Sequence, residues 1–346
     1  MKSGPPISAT VSLDIIRAED ERRLDDSLKS LLAHPDAKVR KRAALAAGRI
    51  GSEGAVPILA EMLLSDGDSD VREMAAFALG EIESPGGADA LISILKDADK
   101  PARARSLEAL GKITAAFAAN SAPAASQTAS PGTEDDRLDA FKAAIVEALR
   151  FEDNRRSNPD RLAIFMGLTA VMRTKPDGVG PLVTKFLEYS DARIVADALN
   201  TLARLRLKDG NEAARRLLKH ADPIVRANAA RVLGATEDKA AFDALLDRAL
   251  HDADERVAAS SVRALASLKD QRAGQPLIER GEYALKISKV SKQFPIEPKN
   301  ELLEVATALG RILQNTENQN AFALLSQAGE RFGHQNPEIE IAAARI

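Results

Sequence analysis

DSDVREMAAFALGEI, Asp68 to Ile82, reads as a helix with a fixed order of residue types. An acid comes first, then Val71-Arg72, the pair Ala75 and Ala76, then Leu79-Gly80, then Ile82. Versions recur along the chain: DAKVRKRAALAAGRI from Asp36, DKPARARSLEALGKI from Asp99, DARIVADALNTLARL from Asp191, DPIVRANAARVLGAT from Asp222 and DERVAASSVRALASL from Asp254. PKNELLEVATALGRI, from Pro298, keeps the apolar order without the acid. Val39, Val71 and Ala102 follow one another at about 31 residues, as do Ile194, Val225 and Val257. A fixed period in that range marks a stack of helical repeats.

Each position has a mechanical reason. The Asp precedes the helix, where a carboxylate caps free backbone N–H groups and meets the positive end of the dipole. The Val begins the apolar face, and the alanines are small where a neighbouring helix crosses. Gly48, Gly80, Gly111, Gly234 and Gly310 share one register. A glycine inside a helix costs about 1 kcal/mol against alanine, so its recurrence predicts close approach of two backbones. Arg40, Arg72, Arg103 and Arg226 share another register. They read as a ladder pairing with the Asp of an adjacent repeat rather than as an anion-binding row, because the Asp is present wherever that Arg is.

VREMAAFALGEI, VRKRAALAAGRI and VRANAARVLGAT resemble HEAT repeats, and more closely the short bacterial variety related to those of phycobilisome lyases. The resemblance implies an all-α fold: a right-handed α-α superhelix, a HEAT-like solenoid of about eight helix pairs plus a truncated ninth. It says little about function, since one architecture serves many tasks. IIRAEDERRLDDSLKSLL, followed by the first two copies of the motif, also resembles the amino-terminal part of bacterial proteins that join HEAT repeats to a cyclophilin-type peptidyl-prolyl isomerase domain. That second resemblance implies an isomerase domain beyond Ile346, and no isomerase residue falls on this chain.

Residues 1–11 read as a flexible lead, 12–117 as repeats one to three, 118–136 as a disordered Ala/Ser/Pro insertion, and 137–346 as repeats four to nine. The last repeat stops in mid-motif, which is the mark of an excised segment. SLDIIRAEDERRLDDSLKSLLAHP reads as a single first helix, with the charges from Glu19 to Arg23 on its solvated side. Pro57, Pro181 and Pro276 sit near the starts of outer helices, where a missing N–H does little harm.

Composition excludes several classes. The 346 residues are 45% hydrophobic but only 3% aromatic, which suits an Ala/Leu core of closely packed helices. With no cysteine there are no disulfides and no thiolate metal sites. A net charge of −3 argues against a general nucleic-acid binder, and no run is long and apolar enough to span a membrane. The compartment reads as cytoplasmic from the chain as it stands, or as envelope or secreted if a signal segment has been removed. His34, His220, His251 and His334 each end an outer helix in a different repeat, so they read as polar helix ends rather than as a metal site. Lys286, Lys289, Lys292 and Lys299 near Phe294 form only a scattered basic stretch.

No nucleophile–base set, phosphate loop or metalloprotease motif is present, so neither a catalytic residue nor a cofactor is expected. The reading is a non-enzymatic scaffold that binds a protein or extended peptide on its concave, inner-helix face. The alternative is a HEAT-like nucleic-acid-binding or DNA-glycosylase-type protein, which would need a strongly basic groove with aromatic residues. Inner-helix positions facing away from the core are Leu45, Arg49, Phe77, Glu81, Glu108 and Lys112 in the front half. In the rear half they are Asn200, Arg204, Arg231, Arg263, Thr307 and Arg311. The rear half is basic and the front half mixed. Leu45, Phe77, Arg204, Arg231, Arg263 and Arg311 are therefore the candidate partner-binding residues.

Overall fold

A computed structural model describes residues 7–121, 133–290, 296–332 and 336–346. Nineteen α-helices and no strand occur among the described residues. The chain divides into two compact units, Met1–Leu182 and Val183–Ile346.

The first unit holds α1 (Ala9–Asp20), α2 (Asp26–Leu32), α3 (Ala37–Ile50), α4 (Val56–Ser65), α5 (Ser69–Ile82), α6 (Ala88–Ile94), α7 (Lys100–Ser121), α8 (Thr133–Asp153) and α9 (Arg161–Thr174). The odd-numbered helices pack in series, α1 on α3 on α5 on α7 on α9, and each even-numbered helix backs the odd one that follows it. After the short α10 (Gly180–Lys185), the second unit repeats the scheme. Its helices are α11 (Ala192–Leu205), α12 (Asn211–Leu217), α13 (Pro223–Ala235), α14 (Phe242–His251), α15 (Glu255–Leu268), α16 (Gly274–Val290), α17 (Ile296–Ile312), α18 (Gln319–Phe332) and α19 (Pro337–Arg345). Here α11, α13, α15, α17 and α19 form the inner series. This is the all-α solenoid arrangement expected from the motif.

The capping acids work as the spacing implies. Asp36, Asp68, Asp191, Asp222 and Asp254 each accept a hydrogen bond from a backbone N–H in the first turn of the following inner helix. The glycines mark real backbone contacts. A Cβ built on Gly48 would lie 2.8 Å from Ala78 Cα, and one on Gly234 would lie 2.7 Å from Ala264 Cα. Gly80, Gly111 and Gly310 face Ala109, Ala170 and Ala342 in the same way. Each of α3, α5, α7, α13 and α17 therefore presses its glycine onto an alanine of the next inner helix.

Three expectations need correction. The first helix is broken in two: Arg22 takes a left-handed conformation (φ 50°) and Asp25 caps a new helix. As a result α1 is an inner-type helix standing before the first pair. Its Glu19 is not on a solvated side but bridges to α3, accepting from Arg42 and Arg49 at 2.6 Å each. The lead is shorter than residues 1–11, because Ser8 already caps α1. The insertion drawn from Ala118 to Asp136 is narrower than that, since α7 runs to Ser121 and α8 opens at Thr133. The remainder, 122–132, lies outside the described residues, as do Lys292, Phe294 and His334.

Candidate functional site

The register arginines form a structural ladder. Arg40 grips Asp66 with Nε and Nη2, both at 2.7 Å, while its Nη1 donates to the carbonyls of His34 and Pro35. Arg226 repeats the arrangement with Asp252 at 2.9 and 2.8 Å. Arg72 pairs with Asp99 through Nε at 2.9 Å and through Nη2. Arg103 has the same role but is buried, reaching Glu152 at 2.7 Å and Asp160 at 2.8 Å. The acid that answers Arg40 or Arg226 is not the capping Asp but the one just before it in an Asp-x-Asp pair, 66/68 or 252/254. That spacing was a readable signal that the motif alone did not expose. His34 and His220 serve the same loops, each accepting at Nδ1 from a backbone N–H at 3.0 Å.

The ladder predicts an acid limb in stability. The Arg40 hydrogen bonds hold the Asp66 carboxyl below its ordinary value of 3.8. Because the folded-state value is depressed, the stabilisation is present above that value and lost as pH falls through the folded-state value. Asp66→Asn is expected to be less stable at neutral pH and to lose less stability on acidification, which paired urea titrations at neutral and acid pH measure.

In the first unit Leu45 and Phe77 are only half-buried, but Phe77 is not an open contact. Arg105 Cζ lies 5.6 Å and Lys112 Nζ 5.3 Å from its ring centroid. Those cations are tied in turn to Glu73, Glu108 and Glu81. The pairing comes from the next helix along, so the residue type alone could not show it.

In the second unit the predicted arginines converge. Arg204, Arg231 and Arg263 line one groove floored by Ala203, Gly234 and Ser260. It continues, through shared Gly234, Ala235 and Ser267, into a second stretch lined by Arg206, Lys269, Arg311 and Arg345 with a single acid, Glu237. Two of the predicted cations have partners: Arg263 is held by Glu304, and Arg231 donates to the Asn228 amide at 3.2 Å. Arg204, Arg206, Lys269, Arg311 and Arg345 are exposed and have no carboxylate partner among the described residues. Arg206 and Lys269 are additions to the candidate set. They close α11 and α15 in the left-handed conformation, with φ of 54° and 52°, and so fall outside the helical register of the inner-face positions.

Comparison with known families decides what the stack is. The family described as HEAT repeats matches residues 20–76, 61–150, 180–266 and 211–282, which together cover more than half of the chain. The chain belongs to the HEAT repeat family. Among solved structures this HEAT repeat chain is similar to the YibA protein of E. coli, with a TM-score of 0.59 and 17% identity over 90% of this chain and 98% of that one. An engineered protein aligns at TM-score 0.51 with 20% identity, covering 98% of this chain and 90% of its own. The complex of CpcE and CpcF of phycocyanin lyase from Nostoc sp. PCC7120 aligns at TM-score 0.43 with 18% identity over 90% of this chain and 98% of that one, a superposition too loose to argue from. No curated protein matches. At these identities the structural neighbours speak for the HEAT fold alone.

Proposed function

We propose that this HEAT repeat chain is a non-catalytic scaffold whose second unit binds an acidic, extended stretch of polypeptide. The observation that carries the reading is the groove with five exposed cations lacking carboxylate partners, in a chain of net charge −3. The ladder arginines Arg40, Arg72, Arg103 and Arg226, by contrast, are each paired with carboxylates. A charged groove on a low-dielectric wall concentrates the opposite charge and steers its approach. A polypeptide fits better than a nucleic acid, because no aromatic ring lines either stretch to stack a base. The lining residues are cations, small residues, one glutamine and one glutamate, a set suited to holding anions.

The test is a fluorescence-anisotropy titration with a hexaglutamate peptide, a hexalysine peptide and a single-stranded oligonucleotide. The hexaglutamate is expected to bind best and to weaken with salt, and Arg204→Glu with Arg311→Glu should cost it at least about tenfold, as loss of charge-assisted contacts implies. Stronger binding of the oligonucleotide, or indifference to the reversals, overturns the reading.

Lys269 supplies a second check, because it separates stability from binding. A side chain in the left-handed region costs on the order of 1 kcal/mol, which glycine avoids. Lys269→Gly is therefore expected to raise the unfolding free energy by roughly that amount while weakening the hexaglutamate complex. Equal affinity in wild type and variant would remove Lys269 from the site.

The finer reading, repeats serving a linked peptidyl-prolyl isomerase, is supported by the resemblance of the opening helices and first two motif copies. Sequencing the reading frame past Ile346 tests it. A cyclophilin-like continuation supports it, and a short polar cap followed by a stop codon contradicts it.

A further inference from the structure

We propose that a cavity between the N-terminal halves of α15 and α17 receives the guanidinium of an arginine carried by the partner polypeptide, beside the groove that holds its acidic stretch. The proposal rests on the polypeptide-binding reading and adds the partner's second feature.

The cavity arises where the ladder fails. From α3 to α17, the register position that holds Arg40, Arg72, Arg103 and Arg226 is taken in other inner helices by Ile164, Val195 and Leu302, all buried. These large side chains fill the space that the ladder arginine leaves. In α15 the position is Ala258, which is not fully buried and lines a cavity of 440 Å³. The size suits a ligand group. Ala258, Val262 and Leu303 make an apolar wall for a methylene stem, while polar groups stand around it.

The charge favours a cation. Glu304 and Glu301 are held by Arg263 and Arg280, and Asp252 by Arg226 and Arg248. Lining residue Arg256 is held by Asp254 at 2.7 Å. Glu255 and Glu338 also line the cavity and have no cation partner among the described residues, which leaves a surplus of negative charge. A guanidinium is the natural occupant, because its planar fork matches carboxylates and because arginine occupies this register in four other helices. Arg263 walls both the cavity and the groove, so the two are neighbours. The partner is thus an extended chain bearing an arginine next to an acidic run.

The experiment compares two peptides on the whole chain, one with arginine and one with citrulline, its uncharged near-isostere, each placed beside six glutamates at either end. The arginine peptide is expected to bind about tenfold tighter, as one charged hydrogen-bonded contact allows. Ala258→Arg, which restores the ladder residue, and Ala258→Leu, which fills the position as Leu302 does, should each erase that difference and leave hexaglutamate binding intact. Titration with N-acetylarginine amide reads the cavity without the groove: binding to wild type, absent in both variants, supports the proposal even if hexaglutamate fails to bind. Equal affinity for arginine and citrulline peptides, or a difference that survives both variants, overturns it.

Discussion

Arg103→Ala is expected to lower the stability of the first unit by about 3–5 kcal/mol, the cost of leaving buried charge without its partner. Arg103 is 1% exposed, and so is Glu152. The guanidinium donates to Glu152, to Asp160 and, at 2.6 Å, to the carbonyl of Asp97, and it lies 5.9 Å from the Phe151 ring centroid. One side chain therefore ties α7 to the end of α8 and to the cap of α9. Its removal leaves two carboxylates facing each other away from water.

The loss should depend on pH. Burial already pushes the Glu152 carboxyl above its ordinary 4.5, opposed by Arg103. Without Arg103 it rises further, so the folded state takes up a proton while the unfolded chain is still ionised. Stability of the variant then increases as pH falls toward that range, and its deficit against wild type narrows. Glu152→Gln in the Arg103→Ala background should recover part of the loss at neutral pH. Chemical denaturation of the single and double variants measures both effects. A deficit below about 1 kcal/mol, or one unchanged by Glu152→Gln, would show that the cluster is solvated in practice.

Gly80→Leu is the second large effect. A Cβ at residue 80 would sit 2.8 Å from Ala109 Cβ and 2.9 Å from Ala109 Cα. The obstacle is the backbone of α7, which cannot rotate aside as a side-chain tip can. Overpacking of this kind costs about 1–3 kcal/mol, and a leucine stands at the upper end or beyond because the helix pair must separate. Gly80→Ala should also destabilise, although alanine is the better helix former by about 1 kcal/mol. Gly67 is the control: nothing lies within 4 Å of its added Cβ and its φ is not positive, so Gly67→Ala should be close to neutral. Thermal unfolding of the three variants checks the order. A Gly80→Leu melting temperature equal to wild type would contradict the backbone contact.

These two sites differ in how far the sequence alone exposed them. Gly80 was readable because a costly residue recurred at one register, and only helix crossing explains such a recurrence. Arg103 was readable as a ladder member, but its burial was not. Its acids, Glu152 and Asp160, lie across the insertion, in a repeat whose own motif is degraded. The candidate face shows the same division. Arg204, Arg231 and Arg311 followed from helical periodicity and do line the groove, whereas Phe77 is covered by cations from the next helix and Arg263 is tied to Glu304. Arg206 and Lys269 escaped because they sit in left-handed positions just beyond the helix ends, where periodicity carries no information. Contacts between neighbouring repeats, not the motif, decide which charges remain available.

The most direct measurement is hydrogen–deuterium exchange across the whole chain with and without saturating hexaglutamate. Slowed exchange at the C-terminal turns of α11, α13, α15 and α17, around Arg204, Arg206, Lys269 and Arg311, is the expected result. Protection on the outer helices, protection confined to the first unit, or no change anywhere would contradict the assignment of the binding face.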